Sequence, residues 1–190
     1  MSTILKTEKS EDEIKKYLKQ DGIVGYDDKA SQIKFVEWGK SEISSERFPY
    51  LYSTGFSSCI ALYLFNRKVK NTPYSFLYHV YTNRLDRDPN DFPHLPRLSE
   101  RMLSELSTPI LCDEEFQMGI VYGTRMLFNV IPLYLGLVEE GFNNLFDNLD
   151  RGGIKIVKGT PNYSSNAVLL DPKGKGLVLS SNAYVSGIHN

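Results

Sequence analysis

Two side chains in this sequence are suited to act together as a nucleophile and its base. Cys59 lies in Thr54-Gly-Phe-Ser-Ser-Cys59-Ile-Ala-Leu-Tyr-Leu-Phe-Asn66, and His79 in Tyr74-Ser-Phe-Leu-Tyr-His79-Val-Tyr-Thr82. An imidazole beside a thiol takes its proton and holds the thiolate next to positive charge, which makes cysteine a nucleophile near neutral pH. Both stretches read as buried strands, the first alternating with Cys59, Ala61, Tyr63 and Phe65 on one face and Ile60, Leu62 and Leu64 on the other. The polar run from Arg67 to Pro73 between them suits the loop of a β-hairpin. Register then decides the geometry. A pairing that sets Cys59 opposite His79 separates their Cβ atoms by roughly 5 Å, and one shifted to make them diagonal neighbours by roughly 7 to 8 Å. A slip of a single residue would put them on opposite faces of the sheet.

The elements around the pair follow from the same patterns. Tyr50 to Thr54 reads as a third strand beside the hairpin, and Gly55 allows a sharp turn ahead of Cys59. Such a turn would aim the main-chain amides of Ser58 and Cys59 at an oxyanion, and donors of that kind must be in place before reaction.

At these residues the chain resembles the bacterial glutamine deamidase superfamily, which includes CheD-like chemoreceptor deamidases and the catalytic domains of cytotoxic necrotizing factors and lethal-factor-like toxins. The likeness is carried by Ser57-Ser-Cys59 opening a strand and by the histidine late in the next strand, over about thirty residues. Both places before the cysteine are serine here, where the toxins have Ser-Gly and CheD proteins Gly-Ser. The resemblance implies a β-sandwich with flanking helices and a Cys/His pair that converts a glutamine side-chain amide of a target protein to glutamate, releasing ammonia. It implies Cys59 as nucleophile, His79 as general base and Thr54, or Ser53 one place earlier, as the polar residue that orients the imidazole. Neither a metal nor a cofactor is implied. The setting it suggests is that of an effector or toxin.

Other chemistry stays open on the residues alone. The same thiol would serve a transglutaminase or a cysteine protease. Without catalysis, Cys59 would be a small buried hydrophobe in an interaction domain whose twelve tyrosines and ten phenylalanines fill a core and a binding face.

With 190 residues, 41% hydrophobic and 24% charged, the chain is expected to form one domain with a sizeable core. A net charge of −1 offers no field to gather nucleic acid or anionic membrane. Two cysteines make no disulfide framework, and no basic, apolar leader opens the sequence, so a protein made and kept in a reducing cytoplasm is expected, with leaderless secretion into a host cell open to an effector. Cys112, followed by three acids, reads as structural, and His94 has no supporting motif. Scattered histidines and cysteines show no zinc spacing, and the alternating Asp86, Asp88 and Asn90 lack the glycine and glutamate of a calcium loop.

Along the chain, Ser10 to Lys19 reads as a helix opened by a capping box of Ser10 and Glu13. Ile33 to Trp38 reads as a strand, Ser41 to Pro49 and Asn83 to Pro96 as loops, Arg97 to Leu106 and Glu139 to Leu149 as helices. Met118 to Val138 is apolar, but Arg125, Pro132 and its glycines argue against a membrane span, leaving buried strands or a core helix; Gly119 and Gly123 have helix-dimer spacing. Ile154 to Val157, Ala167 to Leu170 and Gly176 to Leu179 are short strands, and the tail beyond them is read as frayed. The order of elements predicts an α+β fold with a mostly antiparallel, sandwich-like core flanked by helices.

Overall fold

The computed structural model describes residues 8–57, 59–66, 74–80, 115–124, 143–144, 146–151, 155–158 and 163–185. Its first helix, α1 (Glu11–Gln20), forms where its start signal stands. Ser10 caps it, its hydroxyl accepting the Glu13 amide at 3.3 Å while the Glu13 carboxylate accepts the Ser10 amide at 3.0 Å, so two otherwise orphaned donors are satisfied together. Ile14 and Leu18 on one stripe are buried.

Eleven strands are described: β1 (Ile33–Phe35), β2 (Ser41–Ile43), β3 (Tyr50–Thr54), β4 (Ile60–Phe65), β5 (Ser75–Val80), β6 (Glu115–Tyr122), β7 (Lys155–Lys158), β8 (Tyr163–Ser164), β9 (Ala167–Asp171), β10 (Gly176–Leu179) and β11 (Tyr184–Val185). One sheet has the order β1-β3-β9-β10 and the other β11-β8-β6-β4-β5-β2, with β7 also on β6. The parallel ladders are β1 with β3 and β6 with β7 and β8. All other pairs are antiparallel, so the α+β architecture is a pair of mixed sheets with antiparallel ladders in the majority.

The two sheets face each other across a core that takes Leu51, Val168 and Leu170 from the first and Ala61, Tyr63, Phe65, Leu77 and Val121 from the second. The outer face of the first sheet carries Tyr50, Tyr52, Ala167 and Leu169, and is covered by α1 and the 3-10 turn Asp27–Gln32. Alternation along β3 thus sends odd positions inward and even positions outward.

Several expectations change. Tyr50–Thr54 is a strand but does not join the hairpin: it pairs with β1 and β9 in the opposite sheet. Residues 41–43, read as loop because they are polar, form an edge strand on β5, where one side stays in water and polar residues are tolerated. The strand opening at Ile33 ends at Phe35, three residues before Trp38. Gly119 and Gly123 belong to β6 and its end, so their four-residue spacing has no helical meaning. Residues 184–185, within the tail read as frayed, pair with β8. The helix expected from Glu139 is seen as helical residues 143–144 and 146–151. Ser58, the hairpin loop 67–73, the loop 83–96 with His94, the helix 97–106, Cys112 and the apolar run beyond Thr124 lie outside the described residues. Among the described residues no helix is long and apolar enough to cross a membrane.

Candidate active site

The β4–β5 hairpin sets Ala61 against His79. This is the diagonal register of the two that keep Cys59 and His79 on one face. Cys59 stands one residue ahead of β4 and packs in the inter-sheet core with Ala61, Tyr63 and Phe65. Both groups are buried, Cys59 at 4% exposure and His79 at 0%.

Ser53 completes the arrangement. It projects inward from β3, and its hydroxyl lies 2.8 Å from His79 Nδ1 and 2.6 Å from the Val36 carbonyl. A hydroxyl has one proton, and a carbonyl can only accept. The Ser53 proton therefore goes to Val36, so the Ser53 oxygen accepts from Nδ1–H. This fixes the tautomer and leaves Nε2 with a bare lone pair. Nε2 is buried and has no hydrogen-bond partner among the described residues. The resting imidazole is thus oriented as a base, with no bond yet to the thiol.

Thr54, expected to hold the imidazole, does not do so. It follows Ser53 on a strand whose side chains alternate, so it faces outward with Tyr52, while Ser53 faces His79. The Tyr52 hydroxyl in that outer layer donates to Asp21.

The ring is held on other sides too. Phe56 stacks on it with centroids 3.9 Å apart, and the Trp38 ring lies at 6.1 Å. The strand backbone is tied by His79 N–H to the Lys40 carbonyl at 3.0 Å and by Gly39 N–H to the His79 carbonyl at 2.9 Å. Burial in this apolar setting disfavours the imidazolium and pushes the His79 pKa down to about 4. At neutral pH the ring is neutral and able to accept a proton.

The segment leading to Cys59 crosses from one sheet to the other. Gly55 turns with φ of 83°, a conformation that costs glycine little. Phe56 N–H donates to the Asn166 carbonyl at 3.0 Å, and its carbonyl accepts Thr124 N–H at 3.1 Å. The Cys59 carbonyl accepts Gly123 N–H at 2.9 Å. A Cβ on Gly123 would come within 2.5 Å of the Ser57 carbonyl oxygen, so only glycine lets β6 approach this segment so closely. Of the two amides expected to form an oxyanion hole, that of Cys59 lies at the strand entry; Ser58 is outside the described residues.

Val36, Phe56, Gly123 and Asn166 were not anticipated from sequence. They meet the site only through long-range pairing, and the one local clue was Ser53 between the outward Tyr52 and Thr54. Among the described residues no three His, Cys, Asp or Glu side chains converge as metal ligands would. The chain matches no known family pattern and no curated protein.

Proposed function

We propose that this protein is a cysteine-dependent hydrolase acting on the side-chain amide of a glutamine in another protein. The observation that carries the reading is the fixed tautomer of His79, whose unpartnered Nε2 shares the inter-sheet core with Cys59. Nε2 takes the thiol proton as Sγ bonds to the amide carbon, giving a tetrahedral oxyanion to which the Cys59 amide donates. The imidazolium then gives its proton to the departing nitrogen, the carbon–nitrogen bond breaks and ammonia leaves a thioester. Water, deprotonated by Nε2, attacks the thioester carbon and restores the thiol with a glutamate product. Ser53 keeps its hydrogen bond from Nδ1–H in both charge states, so it orients the ring without adding charge. An amine in place of water would give transglutamination. The effector setting, with leaderless delivery into a host cell, belongs to the same proposal.

A second reading, a non-catalytic interaction domain, is favoured by the near-complete burial of both side chains. Iodoacetamide alkylation of Cys59 against pH, resolved by peptide mass, separates the two. The hydrolase reading expects Cys59 alkylation at neutral pH to slow by at least about tenfold in His79→Ala, because the neutral imidazole takes the thiol proton as the sulfur attacks. It also expects ammonia release from a glutamine-rich protein, lost in Cys59→Ala. Inertness, or reaction at an ordinary thiol pKa regardless of His79, overturns it.

A further inference from the structure

Two stretches cross between the sheets at the end of the sandwich where Cys59 enters β4. One joins β3 to β4 and carries Gly55 and Phe56; the other, Ser165 and Asn166, joins β8 to β9. They meet beside the end of β6, where three hydrogen bonds close a ring among Phe56, Asn166 and Thr124. Phe56 N–H donates to the Asn166 carbonyl at 3.0 Å, Thr124 N–H to the Phe56 carbonyl at 3.1 Å, and the Thr124 hydroxyl to the Asn166 side-chain carbonyl at 2.7 Å. The first two are main-chain bonds, open to any residue but proline. Only the third depends on residue type, since it needs a hydroxyl at 124 and a side-chain acceptor at 166. Asn166 is also held from behind, its own N–H donating to the hydroxyl oxygen of buried Ser180 at 3.2 Å.

The ring of bonds matters because of what Phe56 touches. Both of its main-chain groups are engaged, so its position is fixed, and its buried side chain stacks on the His79 imidazole at 27° with centroids 3.9 Å apart. Ser53 fixes one nitrogen of that imidazole, but a bond at Nδ1 leaves the ring plane free to tilt about it. The Phe56 face removes that freedom. Three residues on, the Cys59 carbonyl accepts the N–H of Gly123, the neighbour of Thr124, at 2.9 Å. One clamp thus bears on the imidazole through an aromatic ring and on the thiol through the backbone. Reacting groups misplaced by roughly 1 Å lose about a hundredfold in rate.

We infer that Thr124 and Asn166 are positioning residues of the site: the hydrogen bond between their side chains locks the two crossings together and so sets the plane of the His79 ring beside Cys59. Their service to catalysis rests on the hydrolase reading; their control of the ring does not.

The test compares Thr124→Val, which keeps the shape of the side chain without its hydroxyl, with Thr124→Ser, which keeps the hydroxyl. The His79 ring protons are identified by NMR among the signals of the chain's three histidines by their loss in His79→Ala. They are expected upfield of their unfolded positions, because they lie over the Phe56 ring. In Thr124→Val and in Asn166→Ala they should move toward the unfolded positions while the chain stays folded, and in Thr124→Ser they should stay. Tyr26→Phe, which weakens the outer layer, controls for lost stability alone and should leave them in place. Cys59 alkylation at neutral pH should slow by at least about threefold in Thr124→Val, and no further when His79→Ala is already present. Ring signals unmoved in Thr124→Val, or moved as far in Thr124→Ser or Tyr26→Phe, overturn the inference; a slowing that persists without His79 overturns the route through the ring. Inert Cys59 with ring signals that move as described overturns the hydrolase reading and supports the positioning, so the two failures are read separately.

Discussion

The two buried layers of this molecule differ in how the polar atoms on their aromatic rings are partnered. In the outer layer under α1, the Tyr26 hydroxyl donates to Asp171 at 2.7 Å and the Tyr52 hydroxyl to Asp21. Desolvation, reinforced by the neighbouring carboxylates, raises both phenol pKa values. These are paired groups that fasten α1, the turn after it and the strand ends together. In the inter-sheet layer, His79 has one nitrogen fully engaged and the other without a partner among the described residues. A buried donor or acceptor left unmade costs about 1 to 3 kcal/mol, so the fold bears a penalty at Nε2 that it avoids at the tyrosines. The contrast teaches where to look for chemistry: at the polar atom whose orientation is determined but whose partner is missing.

The largest effect that would sharpen this contrast is a pH dependence. His79 binds its proton with a pKa of about 4 in the folded chain against 6.5 for the unperturbed group. Between those values the unfolded chain holds more protons, so stability is full above pH 6.5 and falls as pH drops toward 4, by about 3 kcal/mol in all. Denaturant titrations from pH 7 to 4 check this. His79→Leu should remove that step of the acid loss, and an unchanged profile would place the acid sensitivity elsewhere.

Next in size is the outer layer. Tyr26→Phe removes a donor from a buried carboxylate and should cost about 2 kcal/mol, while leaving the rate of Cys59 alkylation as it was. If alkylation changed as well, the two layers would not be independent.

The smallest effects separate neighbours on β3. Ser53→Ala orphans Nδ1–H and should cost about 1 to 2 kcal/mol, with slower Cys59 alkylation because the tautomer is no longer fixed. Thr54→Val, on the outward face, should change stability by no more than about 0.5 kcal/mol and leave alkylation alone. The reverse ranking would return the orienting role to Thr54.

How much of this was legible in the sequence depended on distance along the chain. Period-two alternation located β4 and β5 and their faces, because those features are local, but it left the register open, and only the pairing of Ala61 with His79 shows which one the hairpin takes. The capping box located α1 for the same reason. Alternation also held on β3, but which of its faces met His79 depended on β3 joining β1 and β9 rather than the hairpin, and no local pattern encodes that choice. The Val36 carbonyl that settles the Ser53 proton was hidden likewise, since a backbone acceptor has no residue signature.

The ties on the segment before Cys59 also set an order of events. Phe56 is held by Asn166 and Thr124, and β3, which presents Ser53, is zipped to β9. A nascent chain that has passed His79 but not yet reached β9 contains Ser53, Cys59 and His79 without the framework that brings them together. Closing such long loops is slow relative to hairpin formation. The hairpin can form early, and assembly of the site waits for β9, which is made well after it.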